Sequence, residues 1–315
     1  MLAALLAVPI IAQNPSTTQD SSPTIKVEVN LVNVLFTVRT KSGGLVGNLE
    51  KNNFSIFEDG KEQEIKYFTR ETNLPLTLGL LVDVSKSQER LIETEKGAAK
   101  AFFRQVLRPK DQAFLISFGE DAELLQDYTN SARLLDKGLD QLRLSVPVGG
   151  LHPGPVPTIS QMRGTILYDA VYLAAHDQLR DQVGRKALIL ITDGVDQGSR
   201  YTKEKAIEAA QRMDAIIYSI EYFDRSAYGM FSPSNSALRQ MSEETGGRVF
   251  RVDRKHSLED VFKEIQDELR SQYSIGYAPT NSVKDGTFRR IEIKTDQKDL
   301  KVQARKGYYA TPSVE

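Results

Sequence analysis

Oxygen-bearing side chains stand at alternate positions directly after the apolar segment Leu76–Val82, namely Asp83, Ser85 and Ser87. Three such side chains can converge on one point if the loop that carries them curls around it. Mg²⁺ prefers hard oxygen ligands, so a divalent cation fits that point. The pattern alone is common, and short motifs produce false matches, so the rest of the chain must supply the missing parts of a site.

Two further segments carry side chains that could complete such a site. Thr165 stands before a predicted helix, and Asp193 follows the apolar segment Lys186–Thr192, which predicts a second buried strand. Taken separately, Thr165 fits a helix N-cap and Asp193 with its following glycine fits a turn. In an open α/β sheet, however, ligands bind outside the carboxyl ends of the strands, where the strand order reverses. The predicted metal ligands are Asp83, Ser85, Ser87, Thr165 and Asp193.

The three segments together resemble a known site. Asp83-Val84-Ser85-Lys86-Ser87, Gly164–Ala170 (GTILYDA) and Ile191-Thr192-Asp193-Gly194 are similar to the metal-ion-dependent adhesion site of a von Willebrand factor A (VWA) domain. The resemblance extends from Leu76 to about Arg270. The export signal and the flanking β segments also resemble a bacterial family of secreted VWA-related proteins.

The resemblance implies a role for each predicted ligand. The hydroxyls of Ser85, Ser87 and Thr165 would bind the cation, while Asp83 and Asp193 would act directly or through water and orient the hydroxyls. A site rich in neutral hydroxyls leaves a divalent cation under-neutralised. A carboxylate from a partner protein, from Asp or Glu, could complete the octahedron. Mg²⁺ is the expected ion, and Mn²⁺ also suits hard oxygen ligands.

The elements that must position these residues follow from the hydrophobic pattern. Residues 76–271 alternate between strand and helix, which predicts a doubly wound, mostly parallel, Rossmann-like α/β sheet flanked by helices. One face of the first predicted helix is apolar except for Glu95. Ser257 with Asp260 forms the capping-box pattern of the last helix. The predicted helices include Gln88–Leu107, Asn130–Leu142, Thr165–Gln182 and Thr202–Met213.

β-type segments flank this unit on both sides. In residues 24–75 the pattern has period two, and Asp59-Gly60 predicts a hairpin between Phe54–Phe57 and Ile65–Phe68. The pattern returns to strands in residues 272–312, where Asp285-Gly286 predicts a second hairpin. We predict that the two segments pair in one β-sandwich-like domain into which the α/β unit is inserted, because insertion requires attachment points that are close in space.

The first residues favour export. Leu2–Ala12 is almost wholly apolar but too short to cross a bilayer, which takes about 20 residues. Its length is typical of the hydrophobic region of a signal peptide, although the usual basic residues before it are missing. Residues 1–13 are therefore predicted to be a signal segment and residues 14–23 a polar linker. The expected location is the periplasm, the cell envelope or the extracellular space.

Composition excludes several function classes. The 315 residues include 41 basic and 42 acidic side chains, so the chain lacks the electrostatic footprint of a nucleic-acid-binding protein. There is no Cys and there are three His residues, which excludes thiolate chemistry and leaves few parts for a histidine site. Neither a phosphate-binding loop nor a Gly-x-Ser-x-Gly elbow occurs, and we expect no small-molecule cofactor.

Two loops and one further residue, Asp196, have an uncertain role. Val146–Met162 is long and rich in Pro and Gly, as functional or mobile loops are, and its His152 is predicted to lie at the surface. Tyr228, Met230 and Phe231 form an apolar group that could grip a partner or pack on its own domain. Asp196 could orient the loop after Asp193 or serve only in a turn.

Three functions remain open from sequence. The first is an exported module that grips an acidic side chain of another protein through the cation, without being an enzyme. The second is a metal-dependent hydrolase, which would need a general base beside a metal-bound water. Asp83 and Asp193 are not free for that role if they hold the metal. The third is a structural component of the envelope whose metal only stabilises loops.

Overall fold

The structure is a computed structural model that describes residues 31–71, 74–145, 164–224 and 236–310. The predicted signal and linker, the loop with His152 and the apolar group Tyr228, Met230 and Phe231 lie outside the described residues. The strands are β1 (Val32–Thr40), β2 (Phe54–Glu58), β3 (Lys61–Gln63), β4 (Ile65–Glu71), β5 (Leu76–Asp83), β6 (Gln112–Phe118), β7 (Ala122–Thr129), β8 (Arg185–Thr192), β9 (Ala215–Glu221), β10 (Val249–Arg251), β11 (Gln272–Tyr277), β12 (Phe288–Thr295), β13 (Leu300–Ala304) and β14 (Gly307–Tyr309). The α-helices are α1 (Ile92–Val106), α2 (Ala132–Asp140), α3 (Leu167–Leu173), α4 (Lys203–Arg212), α5 (Ser236–Thr245) and α6 (Leu258–Arg270).

A six-stranded sheet forms the centre of the α/β unit, in the order β10-β9-β8-β5-β6-β7. All neighbouring strands run parallel except the edge strand β7, which returns antiparallel to β6 as a hairpin. Every residue of β5 is buried, because both faces of this strand are covered. The strand order reverses between β5 and β8, since the chain leaves β5 toward β6 and later leaves β8 toward β9.

Helices cover both faces of this sheet. One hydrophobic core joins the sheet to α1, α2 and α6, and a second core on the opposite face joins it to α3, α4 and α5. The predicted capping box of the last helix is confirmed, since the Ser257 hydroxyl accepts from the amide of Asp260 and the Asp260 carboxylate accepts from that of Ser257. The prediction of a mixed α/β unit with a largely parallel sheet between helices is also confirmed.

A glycine in β5 lets the centre of the sheet pack closely. A Cβ atom on Gly79 would lie 2.3 Å from the Phe114 ring of β6 and 2.7 Å from the Leu188 side chain of β8. Real Cβ atoms do not approach other heavy atoms so closely, so the ring and the leucine occupy the space that a larger residue would need.

Two antiparallel four-stranded sheets hold the chain on either side of the α/β unit. Their orders are β13-β1-β11-β4 and β14-β12-β2-β3, so each sheet combines strands from before and after the unit. Side chains of both sheets share one hydrophobic core, where the Phe36 and Phe54 rings meet edge to face at 5.1 Å. Residue Glu71 of β4 pairs with Gln272 of β11, which places the two connections to the α/β unit side by side.

The two predicted hairpins need correction. Asp59 and Gly60 have φ angles of 47° and 81° and form a tight turn, so β2 pairs with Lys61–Gln63 and not with Ile65–Phe68. After this short strand the chain crosses to the other sheet, where β4 pairs with β11. Asp285-Gly286 joins no hairpin either, because β11 and β12 belong to different sheets.

A buried polar network connects the two four-stranded sheets. The Glu58 carboxylate of β2 accepts a 2.7 Å hydrogen bond from the Tyr277 hydroxyl of β11 and a 2.9 Å bond from the Tyr308 hydroxyl of β14. Its other oxygen lies 3.3 Å from Arg289, whose side chain is almost fully buried. Burial, followed by the bond to Glu58, raises the pKa of Tyr277.

No helix in the described residues is long and apolar enough to cross a membrane.

Candidate metal site

The predicted ligands stand at the edge of the sheet where the strand order reverses. Asp83 is the last residue of β5, and Asp193 directly follows β8, the neighbouring parallel strand. Both carboxyl groups are buried, with exposed fractions of 0% and 2%. Ser85 and Ser87 are half-buried, while Lys86 between them is exposed, as expected for a side chain that points to solvent.

Asp83 uses both carboxylate oxygens to hold its surroundings. Oδ1 accepts a 2.9 Å hydrogen bond from the backbone amide of Ser85, which curls the loop back toward the strand end. Oδ2 accepts a 2.6 Å bond from the hydroxyl of Thr192, the last residue of β8. The same hydroxyl accepts a 3.1 Å bond from the amide of Gly194. Asp83 therefore holds the loop after β5 and the loop after β8 in a fixed relative position, from the strand side of the site.

Three oxygens above Asp83 form a chain at short spacing. The Ser85 and Ser87 hydroxyls lie 3.0 Å apart, and the Ser87 hydroxyl donates to Asp193 Oδ2 at 2.7 Å. Mg²⁺–oxygen bonds are about 2.0–2.1 Å long, so neighbouring ligands of an octahedral ion lie about 2.9 Å apart. The three oxygens thus already have the spacing of adjacent octahedral positions, and this hard donor set fits Mg²⁺ or Mn²⁺.

Thr165 reaches the same edge of the sheet through its backbone. Its carbonyl accepts hydrogen bonds of 3.0 and 3.2 Å from the amides of Gln197 and Gly198, in the loop after β8. The next residue, Ile166, donates 2.9 Å to the carbonyl of Gly119, directly after β6. Strands β6 and β8 flank β5, so Thr165 lies on the rim between them. Among the described residues, its hydroxyl is not part of the hydrogen-bonded chain of Ser85, Ser87 and Asp193.

Thr165 is not the N-cap of the following helix. The cap residue of α3 is Ile166, which offers no side-chain bond, and the helix begins at Leu167. The first amides are satisfied by another segment, because Tyr168 donates to Asp196 Oδ1 at 3.2 Å and Asp169 donates to the Ser199 hydroxyl at 3.1 Å. Asp196 thus has the orienting role that the sequence left open.

The Asp169 side chain adds two further hydrogen bonds between α3 and the loop after β8. Its Oδ1 accepts two 2.8 Å hydrogen bonds, from the amides of Arg200 and Tyr201. The bonds made by Asp169 and Asp196 run in opposite directions between α3 and the loop after β8. As a result, Thr165 and Asp193 stand on two segments that are fastened to each other.

The electrostatics of the site favour a cation. Burial, followed by the charge of Asp193, raises the pKa of Asp83 to about 6. Hydrogen bonds from Ser85 and Thr192 oppose that rise. Two buried carboxylates in one place repel each other, and a divalent cation between them would remove that repulsion.

Sequence reasoning missed the parts that hold the ligands in place. From the sequence, Thr192 is only a neighbour of Asp193, and Asp169 and Ser199 have no predicted role. The position of Thr192 at a strand end, next to a predicted ligand, was an available signal. Asp169 and Ser199 left no such signal, because they are 30 to 32 residues away in sequence from their hydrogen-bond partners.

Other parts of the described structure are weaker candidates for chemistry. The described residues contain no cluster of three or more His, Cys, Asp or Glu side chains placed to hold a metal. A cleft of about 320 Å³ lies between α4 and the four-stranded sheets. Its three arginines are already paired, Arg305 with Asp214, Arg289 with Glu58 and Arg212 with Glu208.

The fold and the site together define a class. A parallel sheet with this strand order, helices on both faces and the Asp-x-Ser-x-Ser loop at its switch point constitute a VWA-like α/β fold, as predicted from the sequence. The assignment of the five residues as metal ligands stays a prediction.

No family model matches the chain. An uncharacterized protein of Borreliella burgdorferi is 22% identical over 234 residues, which is 69% of this chain, and the chain spans 59% of the length of that relative.

Several solved structures are similar in fold at low identity. BatB from Bacteroides thetaiotaomicron is 18% identical with a TM-score of 0.46, over 62% of this chain and 97% of that one. Proximal thread matrix protein 1 from the mussel byssus, with a zinc-occupied MIDAS motif, is 15% identical with a TM-score of 0.49, over 68% and 50%. The vWF domain of the pili tip protein Mfa5 from Porphyromonas gingivalis is 11% identical with a TM-score of 0.47, over 62% and 95%.

Proposed function

We propose that the protein is an exported protein-binding module that captures an acidic side chain of a partner through a divalent cation. The observation that carries the proposal is the chain of oxygens from Ser85 through Ser87 to Asp193, at 3.0 and 2.7 Å, above the buried Asp83. Thr165 would add a third hydroxyl from the rim. The periplasm, the envelope surface or the extracellular space would be its place of action.

The charge balance supports a partner carboxylate. Asp193 is the one carboxylate in the oxygen chain, while both oxygens of Asp83 already accept hydrogen bonds from beneath. Mg²⁺ held there by neutral hydroxyls and one direct carboxylate keeps positive charge, and an Asp or Glu of another protein is a ligand of the right hardness. Mn²⁺ would serve as well.

We propose a role without catalysis, because neither Asp83 nor Asp193 is free to act as a general base. A hydrolase would need a general base free to take a proton from a metal-bound water. In the proposed site Asp193 is the direct carboxylate ligand of the cation, and both oxygens of Asp83 accept hydrogen bonds from Ser85 and Thr192, so neither carboxylate is left over to act as that base. This arrangement supports holding a cation rather than activating water.

We further propose that the two four-stranded sheets form one β-sandwich domain that carries the α/β unit as an insertion. The shared hydrophobic core and the Tyr277–Glu58 bond between the sheets support it. The pairing of Glu71 with Gln272 supplies the close attachment points that insertion requires.

Direct cation binding is the first test. Titration calorimetry with MgCl₂ or MnCl₂ should give one binding event in the full chain, weakened at least tenfold by Ser85→Ala or Ser87→Ala. The exposed Ser282 makes a matched control, because Ser282→Ala removes a hydroxyl outside the site. Equal cation affinity in all variants would overturn the proposed site.

Partner capture separates the three candidate functions. Immobilised protein is exposed to a native extract in Mg²⁺ or in EDTA, beside the Ser87→Ala and Ser282→Ala variants. Capture that needs both Mg²⁺ and Ser87 supports the adhesive role. Cation binding that stabilises the fold without any metal-dependent capture supports the structural role, and phosphodiester or peptide hydrolysis lost with Ser87→Ala would support the hydrolase.

A further inference from the structure

A fully buried acidic side chain stands on α1, the helix that follows the loop of Ser85 and Ser87, and it has no hydrogen-bond partner among the described residues. Glu95 of α1 has an exposed fraction of 0%, and neither carboxylate oxygen has a hydrogen-bond partner. It occupies the one polar position on the apolar face of the helix. Buried carboxylates in proteins are nearly always paired, so a conspicuous exception needs a reason.

Among the described residues, no basic side chain contributes to the electrostatics of the Glu95 carboxyl group. Asp83 at the end of β5 acts on it electrostatically without a hydrogen bond between them. Tyr222, directly after β9, also interacts electrostatically with Glu95. Gln88, in the turn before α1, is fully buried too, and its Oε1 is also without a partner while its amide donates 3.3 Å to the Tyr222 carbonyl.

This environment disfavours the charged form of the carboxyl group. Burial, followed by the charge of Asp83, raises the pKa of Glu95 well above its usual range. Without a cation nearby, the group is therefore neutral in the pH range where ordinary glutamates are ionised. A divalent cation above Asp83 would change that balance, because a nearby opposite charge favours ionisation.

We propose that Glu95 is a remote charge partner of the bound cation, which gives up its proton to solvent when the cation binds and takes it back when the cation leaves. The inference rests on the proposed cation site, and it assigns Glu95 an affinity-setting role without contact to the metal. The exchange is balanced: the cation and protonated Glu95 give the bound cation, ionised Glu95 and one free proton.

Linkage fixes the sign of the effect. A permanently neutral side chain at position 95 cannot contribute the additional charge, so the wild-type affinity for the cation equals or exceeds that of Glu95→Gln at every pH. The two affinities converge at low pH, where Glu95 stays protonated in both states. Their ratio rises with pH by at most tenfold per unit, since one proton is exchanged.

Calorimetric titration of the full chain with MnCl₂, in pairs of buffers that differ in ionisation enthalpy, measures both the affinity and the protons released. We expect the wild type to release more protons than Glu95→Gln, by at most one, over the pH range in which the two affinities diverge, and to bind Mn²⁺ more tightly than the variant as the pH rises. Glu93→Gln is the matched control, because Glu93 lies on the same helix with a side chain that is 81% exposed.

The outcomes are distinct. Equal proton release in wild type and Glu95→Gln overturns the inference while leaving the cation site intact. Loss of Mn²⁺ binding at low as well as high pH in Glu95→Gln shows a merely structural role and also overturns it. Absence of Mn²⁺ binding in the wild type refutes the proposed function itself. Should Glu95→Gln fail to fold, judged by circular dichroism, Glu95→Met offers a second neutral side chain of similar length.

Discussion

The Thr192 hydroxyl donates a 2.6 Å hydrogen bond to Asp83 Oδ2, and both residues are completely buried. The bond joins the ends of β8 and β5, the two neighbouring strands that carry the candidate site. A hydrogen bond to a charged group contributes about 1.5–3 kcal/mol, more than a neutral pair. Asp83 and Thr192 therefore form the base on which the two loops rest.

Replacement of Thr192 by valine should damage both stability and cation binding. Thr192→Val keeps the shape but removes the donor, and we expect a loss of about 1.5–3 kcal/mol in the free energy of unfolding. Thr37→Val is the matched control, because Thr37 is equally buried and its hydroxyl has no partner. Urea denaturation of both variants checks this, and equal losses would show that the bond contributes nothing special.

The metal-free protein should lose stability as Asp83 ionises. Its pKa is raised from 3.8 to about 6, so its contribution is fully present below pH 3.8 and is lost as the pH rises toward 6. A shift of that size corresponds to about 3 kcal/mol. In EDTA, the free energy of unfolding of wild type relative to Asp83→Asn should therefore fall by about that amount between pH 4 and pH 7. A difference that stays constant with pH would contradict the shift.

The buried network between the four-stranded sheets should respond to loss of a single hydroxyl. Tyr277→Phe removes one of two tyrosine bonds to the Glu58 carboxylate and should cost about 1–3 kcal/mol. Tyr67→Phe removes the same atom from a side chain that is 62% exposed, and it should change the free energy of unfolding by less than about 0.5 kcal/mol. Chemical denaturation followed by far-UV circular dichroism compares the two.

The centre of the parallel sheet should not accept an added methyl group. Gly79→Ala places a carbon 2.3 Å from the Phe114 ring, and we expect a destabilisation of about 1–3 kcal/mol by overpacking. Gly97→Ala, on the exposed side of α1 with no atom within 4 Å of its new carbon, should instead stabilise by about 0.5–1 kcal/mol. Thermal melts should move in opposite directions, and a stabilised Gly79→Ala would refute the packing argument.

Sequence patterns predicted the α/β unit well because the physics there is local. A fully apolar strand followed by an amphipathic helix repeats along the chain, and β5 and β8 lie within one residue of their predicted limits. The same logic placed Asp83 and Asp193 at one sheet edge, where the structure bonds Asp83 to Thr192, the residue before Asp193, and bonds Ser87 to Asp193.

The pairing of the flanking strands could not be predicted in the same way. Asp59-Gly60 correctly marked a turn, but the partner of β2 depends on where the chain crosses between sheets after Gln63. That choice is made by the shared core and by β11, which lies some two hundred residues further along the chain. The place of Glu95 on the apolar face of its helix is visible in the sequence, but the lack of a hydrogen-bond partner for its carboxylate among the described residues is not, because that depends on distant parts of the chain.

The position of the α/β unit between its two attachments has a mechanical consequence. The candidate site stands at the carboxyl end of β5, while the connection to the four-stranded sheets enters at the amino end of the same strand, next to Gln272. A tensile load applied at the site would therefore run along β5, whose eight residues span about 26 Å. Because both points of load lie on the same strand, the force would be carried by the covalent backbone of β5 rather than by hydrogen bonds between strands, which would make this strand a strong tether between a captured partner and the rest of the chain.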